Sequence, residues 1–204
     1  MDLRRRWFDA WQALGPAGDS DLLEEVLHHY GDARRSYHTL QHLEECFGKL
    51  DELRGVAEHP AEVELALWFH DAIYEPRRSD NEQRSADWAR ETLLAAGAAS
   101  ETAERVHALI MATRHAAEPS GIDQQVLIDV DLSILGAEAQ RFDEYETQVR
   151  QEYRWVPKLI YRRKRAEILR SFLERPSIYS TPLFVERYEK QARSNLQRSL
   201  GKLR

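Results

Sequence analysis

Apolar residues recur at every third or fourth position along most of this chain. Leu40, Leu43, Phe47 and Leu50 show the spacing, which is typical of a helix that buries one face. We find no stretch that alternates apolar and polar residues with period two, and neither Asn-Gly nor Asp-Gly occurs to close a hairpin. The pattern predicts an all-α protein.

Helix start and stop signals divide this pattern into segments. Gly31 follows a helical stretch, Pro60 can open a helix in its first turn, and Ser79 and Glu82 have the spacing of a capping box. The predicted helices cover about 2–14, 20–30, 38–53, 60–70, 79–95, 100–114, 124–135 and 138–153, and two more begin at Pro157 and at Thr181-Pro182. No repeat, low-complexity tract or linker is apparent, so residues 1–204 are predicted to form one helical bundle domain.

Composition narrows the function classes. The net charge of −6 argues against a general nucleic-acid binder, and the basic run 162–165 is expected to be a solvated face, with phosphate contact as the second interpretation. A single cysteine, Cys46, excludes an intramolecular disulfide and a multi-thiolate zinc cluster. The chain starts without a signal-peptide pattern and has no apolar run of membrane-spanning length. We therefore expect a cytoplasmic protein without a membrane partner.

The segment WFHDAIYEP, residues 68–76, sets a histidine beside an aspartate at the end of an apolar run. Burying two such groups without partners costs several kcal/mol, roughly 2–7 for each neutral polar group. Pro76 indicates that the helix ends here, and at a helix end His70 and Asp71 can converge on one ion. Either an internal ion pair or a bound metal would satisfy them.

Two other segments carry similar chemistry. His38 and His42 in YHTLQHLEEC are four positions apart, so on a helix they would share a face. The apolar stretch VLIDVDLSILG contains Asp129 and Asp131. On a helix Asp131 would share its face with leucine and isoleucine side chains, so we expect it to be the more buried carboxylate. An ion pair with an arginine is the alternative role for it.

Together these segments predict a mixed nitrogen and oxygen site from three helices. Two histidines and two aspartates suit Mn²⁺, Fe²⁺, Ni²⁺, Zn²⁺ or, less well, Mg²⁺. One divalent ion held in this way keeps room for water, and it can lower the pKa of that water from 15.7 to about 7–9. The expected cofactor is therefore one divalent metal ion.

The ordered set of a histidine, a His-Asp doublet and a later aspartate resembles the HD-domain superfamily of metal-dependent phosphohydrolases. The resemblance implies that His42, His70, Asp71 and Asp131 are the metal ligands. More closely, YHTLQHL, WFHDAIY, DNEQRSA and DVDLSILG together look like a bacterial group of predicted HD-superfamily phosphohydrolases. That similarity spans most of the chain, including the late SIYSTPLFVERYEKQARSNL.

Further roles follow from the same resemblance. YHTLQH looks like the Y-H-N-x-x-H stretch of cyclic-nucleotide phosphodiesterases, which makes His38 a general-acid candidate, although Thr39 stands where that pattern has Asn. Asp71 counts as catalytic as well as a ligand. Glu82 resembles carboxylates that orient the attacking water, and its structural alternative is the capping partner of Ser79.

Two residues after the doublet are candidates for substrate contact. His115 could bind substrate, bind a second metal or cap a helix, and Arg114 could contact a phosphate.

The implied function is hydrolysis of a phosphoester or phosphoanhydride by metal-activated water. The expected partner is a small phosphorylated substrate, and a nucleotide is the first choice. The sequence does not decide whether the chain forms a homo-oligomer. One alternative is a catalytically silent HD-fold scaffold or ligand-binding module. The other, ranked lower, is a di-iron HD-type oxygenase, for which only His107 and His115 could supply the extra histidine ligands after the doublet.

Overall fold

The computed structural model describes residues 1–115 and 117–203, and within these ranges the regular structure is entirely helical. Ten α-helices and one 3₁₀ helix follow one another without a strand in the part of the chain described. The α-helices are α1 Leu3–Leu14, α2 Ser20–Tyr30, α3 Leu40–Leu53, α4 Pro60–Phe69, α5 Asn81–Ala95, α6 Ser100–Ala112, α7 Ile122–Asp131, α8 Ala139–Glu152, α9 Lys158–Leu173 and α10 Pro182–Lys202. The 3₁₀ helix is Leu132–Gly136. The predicted all-α class is confirmed.

Helix α3 begins two residues later than its pattern predicts. Its N-cap, Thr39, has extended backbone angles (φ −116°, ψ −178°), so the preceding residue is outside the helix. His38 therefore lies in the turn before α3, and the predicted helix face shared by His38 and His42 is wrong.

The capping box predicted at the start of α5 is also wrong. The N-cap is Asp80 rather than Ser79, and no side-chain capping hydrogen bond forms at this end of the helix. Because Ser79 lies outside the N-cap position, Glu82 is not placed at the third helical residue that a capping box with Ser79 requires.

The predicted helix over 124–135 is divided. Helix α7 ends at Asp131, and the chain continues as the tighter 3₁₀ helix to Gly136. The face on which Asp131 would lie four positions before Leu135 therefore does not exist as a continuous α-helical face.

Contacts group the chain into two compact units, Met1–Val130 and Asp131–Arg204, and the boundary falls at the last residue of α7. The prediction of a single domain stays a prediction. In the first unit α4 packs against α1, α3, α5 and α6. Every residue of α4 from Glu62 to Phe69 is buried, so this helix is the centre of the unit. It ends directly at the His-Asp doublet.

The two buried carboxylates of α4 are paired with arginines. Glu62 accepts hydrogen bonds of 2.6 and 2.8 Å from Arg105 of α6. Glu64 forms ion pairs with Arg6 of α1, at 2.7 Å, and with Arg54. Burial raises the pKa of Glu64 above its ordinary value, although the two guanidinium groups act in the opposite direction. These pairs fix the central helix against its neighbours.

In the second unit α10 packs against the 3₁₀ helix and α9. A Cβ added to Gly136 would lie 2.7 Å from Cβ of Tyr188 and 2.8 Å from the hydroxyl of Tyr179, so only glycine fits there. Asn195 Nδ2 donates to the carbonyl oxygens of Leu135 and Ala137, at 2.9 and 2.8 Å. The late segment of the chain thus holds the 3₁₀ helix in place.

Most of the basic run in α9 is paired within the second unit. Arg165 is buried and contacts Glu146, while Arg163 and Lys164 both pair with Glu167. The expectation of a solvated face holds for Arg163 and Lys164, which are exposed, and fails for Arg165. Among the described residues, no helix combines the length and the apolar character needed to cross a membrane.

Candidate metal centre

The C-terminal end of α4 orients the imidazole of His70. The backbone N–H of His70 donates to Ala66 O, at 2.9 Å, so its backbone continues the helical hydrogen bonding. Its ring nitrogen Nδ1 lies 2.7 Å from Leu67 O and, facing a carbonyl, must be the donor. The neutral ring then carries its lone pair on Nε2. A histidine that ligates a metal is normally oriented in this manner by a hydrogen bond from its other nitrogen.

The lone-pair nitrogen of His70 faces two other potential ligand atoms. It lies 3.3 Å from His42 Nε2 and 3.1 Å from Asp71 Oδ2, and the third side of this triangle, His42 Nε2 to Asp71 Oδ2, is 3.5 Å. Ligand atoms about 2.1 Å from one ion lie roughly 3.0–3.4 Å apart in octahedral or tetrahedral geometry. The three separations fit a common ion, although a His–His–Asp hydrogen-bond network would satisfy the same distances.

Asp71 is prepared to act as an anionic ligand. Burial alone would raise the pKa of this carboxyl, but its interactions with the imidazoles of His70, His38 and His42 hold that pKa well below its usual range. Its side chain keeps 17% of its surface exposed, whereas His42 and His70 are each 2% exposed. The carboxylate is therefore the side of the triangle that faces solvent.

Asp131 and Cys46 complete a compact group around the two histidines. One ligand atom from each of His42, Cys46, His70 and Asp131 lies within 4.8 Å of every other. Cys46 follows His42 by one helical turn on α3. It was not among the predicted ligands, because a lone cysteine can form neither an intramolecular disulfide nor a cluster of several thiolates. The four-residue spacing from His42 is the signal that could have found it.

The thiol of Cys46 is a neighbour of the histidine triangle and is not aligned with it. Its sulfur is 3.7 Å from both Nδ1 and Nε2 of His42. An atom equidistant from the two nitrogens lies off the lone-pair axis of Nε2, along which an ion would be bound. In this side-chain arrangement Cys46 packs beside the ligand set.

Burial of the two aspartates in α7 is the reverse of the expectation. Asp129 is fully buried, while Asp131 is partly exposed. Residues 126–130 are all buried, so α7 has no solvent-facing side on which Asp129 could lie. Partial exposure does not remove Asp131 from the ligand group.

Tyr30 ties the doublet to α2. Its hydroxyl accepts a 3.3 Å hydrogen bond from the backbone N–H of Asp71 and donates a long one, 3.5 Å, to Leu67 O. Burial raises the pKa of Tyr30 to about 12, so the hydroxyl keeps its proton. The same Leu67 carbonyl also accepts the hydrogen bond from Nδ1–H of His70, so one backbone oxygen contacts both side chains.

His38 lies at the edge of the centre. Its ring stacks on Tyr74, with centroids 3.9 Å apart and an interplanar angle of 27°. Its centroid is 6.0 Å from that of His42. The structure therefore brings His38 close to the ligand group from the turn before α3, and its role as a general acid stays a prediction.

The loop after the doublet is fixed to α5 by the DNEQRSA segment. The amide of Asn81 exchanges two hydrogen bonds with the backbone of Glu75, at 3.0 and 3.1 Å. The hydroxyl of Ser85 accepts from the backbone N–H of Ile73, at 3.0 Å. These contacts hold Ile73 and Glu75, the two neighbours of Tyr74 in the chain, so the DNEQRSA segment has a structural role.

The remaining candidates lie outside the ligand group. Glu82 is 4.0 Å from Nε of Arg114, and Arg114 also donates to Ser79 O, at 3.3 Å, so this pair joins the end of α6 to the start of α5. His115 follows α6 with a left-handed backbone (φ 53°), and its N–H closes the helix end on Ala112 O. It lies in the helix-terminating turn, and its predicted contact with substrate or a second metal stays a prediction.

His107 does not support the oxygenase alternative. Its Nε2 lies 3.2 Å from Asp87 Oδ1 and 3.3 Å from Gln83 Nε2, between α5 and α6. In this position the ring binds side chains of α5 and is not a member of the ligand group.

A second histidine–carboxylate cluster occupies the other end of α4. Asp123 accepts hydrogen bonds from the backbone N–H groups of Glu58 and His59, the shortest being 2.7 Å, and from Nδ1 of His59, at 2.8 Å. The three residues have the mutual spacing of metal ligands. Because protein donors already occupy both oxygens of Asp123, the cluster fits a contact that fixes the segment before α4 to α7 better than a metal site.

Comparison with protein-family models, with curated proteins and with solved structures finds no match to this chain. The group of His42, Cys46, His70 and Asp131 on a helical frame is compatible with an HD-type metal site.

Proposed function

We propose that this protein is a metal-dependent phosphohydrolase of the HD type that acts on a small phosphorylated molecule. The observation that carries the proposal is the triangle of His42, His70 and Asp71. Its atoms lie 3.1–3.5 Å apart, and the N–H of His70 is turned away onto Leu67 O. The order of these residues along the chain resembles the HD motif.

His42, His70 and Asp71, with Asp131, would hold one divalent ion. The bound ion would supply positive charge that neutralises a phosphate group and lowers the pKa of a water molecule. The protein's own contribution is rigidity. His42 and His70 are almost completely buried, so they exclude water from one side, and the ionised Asp71 faces the open side where a phosphate would approach.

His38 is placed to move a proton at the edge of the centre. Stacking on Tyr74 limits rotation of its ring. A protonated His38 could donate to the leaving oxygen of a phosphoester or phosphoanhydride. A nucleotide is the default substrate because its phosphates are of this type, and the ligand geometry does not depend on that choice.

The test begins with metal-stripped protein reloaded separately with Mn²⁺, Fe²⁺, Ni²⁺, Zn²⁺ and Mg²⁺. Each form is assayed against a panel of nucleotides and small phosphoesters, and bound metal is measured by elemental analysis. We expect one metal per chain and phosphate release with at least one ion. The substitution His70→Ala should abolish both, while the matched variant His59→Ala, at the other end of α4, should retain both.

Other outcomes would assign another function. One metal per chain without turnover of any phosphoester would favour the scaffold or ligand-binding alternative. Two irons per chain would favour the oxygenase. Full metal content in the His70→Ala and Asp71→Ala proteins would show that the ligand assignment is wrong.

A further inference from the structure

Arg35 is a buried arginine between α2 and α3, and it joins the two segments that carry the candidate site. Only 9% of its surface is exposed. Its NH1 group donates to His38 O, at 3.1 Å, and to Asp71 O, at 2.6 Å, while NH2 donates to Ala72 O, at 2.7 Å. One guanidinium therefore binds the backbone beside the first histidine segment and the backbone of the doublet.

The chemistry of this contact requires an arginine. A planar guanidinium presents its donors in a fixed fork, so it can hold three carbonyl oxygens at set angles and distances. A lysine ammonium is a point charge on a flexible stem, and it would not fix the same relation between the carbonyls. Contacts to a charged donor are also stronger than contacts between neutral groups.

Two aromatic rings connect the same guanidinium to the site side chains. Its central carbon lies 5.4 Å from the ring centroid of Tyr30 and 5.7 Å from that of Tyr74, within cation–π range. Tyr30 binds the backbone of Asp71, and Tyr74 stacks on His38. Arg35 thus contacts the tyrosine that stacks on His38 and the tyrosine that binds the backbone of Asp71.

We propose that Arg35 is a positioning residue of the metal centre, fixing the spacing between the segment that carries His38 and His42 and the doublet His70-Asp71. The inference rests on the proposed function, because it concerns the same centre. An arginine beside a phosphohydrolase site would ordinarily be assigned to the substrate phosphate. Here both terminal nitrogens already donate to backbone carbonyls, so the guanidinium is engaged with the protein backbone.

The chain offers a matched control in Arg193. Its NH1 donates to Leu173 O, at 3.0 Å, and its NH2 donates to Arg175 O and Pro176 O, at 2.8 and 3.1 Å. It is therefore another arginine that gathers three backbone carbonyls, all within the second unit. Substituting Arg193 should remove a comparable number of side-chain to backbone hydrogen bonds without removing a contact to the proposed metal ligands.

The experiment compares wild type with Arg35→Lys, Arg35→Gln and Arg193→Gln. Folding of each variant is verified by circular dichroism, Co²⁺ affinity is measured by calorimetry, and the visible absorption of bound Co²⁺ reports the ligand geometry. We expect Arg35→Gln to weaken Co²⁺ binding by about 10–100-fold, the usual range for a residue behind the ligands, with a changed spectrum. The Co²⁺ affinity of Arg35→Lys should lie between those of wild type and Arg35→Gln. Arg193→Gln should bind Co²⁺ within about twofold of wild type, because Arg193 does not contact residues that orient the proposed ligands.

Each result decides a separate question. If wild type binds Co²⁺ and both Arg35 variants match its affinity and spectrum, Arg35 does not position the centre. The inference also fails if Arg193→Gln loses as much affinity as Arg35→Gln. If Arg35→Gln does not fold, the milder Arg35→Lys still decides through its spectrum. Failure of wild type itself to bind a divalent ion would refute the proposed function, and this inference with it.

Discussion

The two ends of α4 carry the same kinds of side chain in different arrangements. At the N-terminal end, His59 and Asp123 meet the start of the helix, and the carboxylate receives N–H groups from protein on both oxygens. At the C-terminal end, Nε2 of His42, Nε2 of His70 and Oδ2 of Asp71 lie 3.1–3.5 Å from one another, and the N–H of His70 is turned away onto Leu67 O. Residue type alone therefore does not separate a structural hydrogen-bond cluster from a candidate metal site.

Helix polarity explains why the arrangements differ. The N-terminus of a helix carries partial positive charge, which favours a carboxylate such as that of Asp123. The C-terminus carries partial negative charge, which favours a cation beside His70 and Asp71. The number of histidines and carboxylates therefore does not identify the end of α4 that can bind an ion. The acceptor of each histidine N–H does: that of His59 is the carboxylate itself, whereas that of His70 is a backbone carbonyl.

The largest expected difference between the two ends is in metal affinity. His70→Ala removes a proposed ligand. Metal affinity should therefore fall more than about 100-fold, which exceeds the loss typical of residues that only orient the ligands. His59→Ala should leave affinity unchanged. Calorimetric titration of both variants measures this, and equal losses in the two would erase the distinction.

A second difference should appear in stabilisation by added metal. An ion at 100 times its dissociation constant stabilises a native protein by about 2.7 kcal/mol, because it binds the folded state alone. Thermal unfolding of wild type and of His59→Ala should therefore shift upward when the preferred ion is added. The melting temperature of His70→Ala should not move, and a shift of equal size there would place the ion elsewhere.

A smaller effect is expected for the contact at the N-terminal end. Asp123→Ala leaves the N–H groups of Glu58 and His59 without their acceptor and should cost about 0.5–1.5 kcal/mol in the free energy of unfolding, the net contribution of a typical hydrogen bond. Urea denaturation measures it, and Asp123→Asn, which keeps an oxygen acceptor, should recover part of the loss. Metal content should be unchanged in both, so a fall in metal content would show that this end binds the ion.

The smallest expected effect is that of Cys46→Ser. Because the sulfur is 3.7 Å from both nitrogens of His42, it lies off the lone-pair axis. Co²⁺ affinity should change less than about threefold, which is well below the loss of affinity expected when a residue that orients the ligands is removed. The near-ultraviolet absorption of a thiolate–cobalt bond should be absent in wild type. Its presence would make Cys46 a ligand and would change the preferred metal toward softer ions.

Much of the fold could be predicted from the sequence because its helices are marked locally. Gly31 and Pro60 mark the ends they predict, and α2 and α4 match their expected bounds closely. The errors lie where a tertiary contact decides the backbone. The extended Thr39 excludes His38 from α3, and close packing at Gly136 accompanies a 3₁₀ helix where an α-helix was expected.

The candidate site was predictable for the residues that occur in motifs and not for those that orient them. His42, His70 and Asp131 fall into one group as the motif order suggests, and their roles stay predictions. Tyr30 and Arg35 were missed because each acts through backbone atoms that are distant in sequence, 36 residues apart for Arg35 and Asp71 and 41 for Tyr30 and Asp71. No spacing rule along the chain shows such a contact.

The ion pairs of α4 also set a limit on shortening the protein. Glu64 is almost fully buried, and one of its two arginine partners, Arg6, comes from α1. A truncated protein that starts at α2 would leave this carboxylate with Arg54 alone and with one side of its helix uncovered. Fusion partners and affinity tags are therefore best attached ahead of an intact α1, since the first helix is part of the support for the helix that ends at His70.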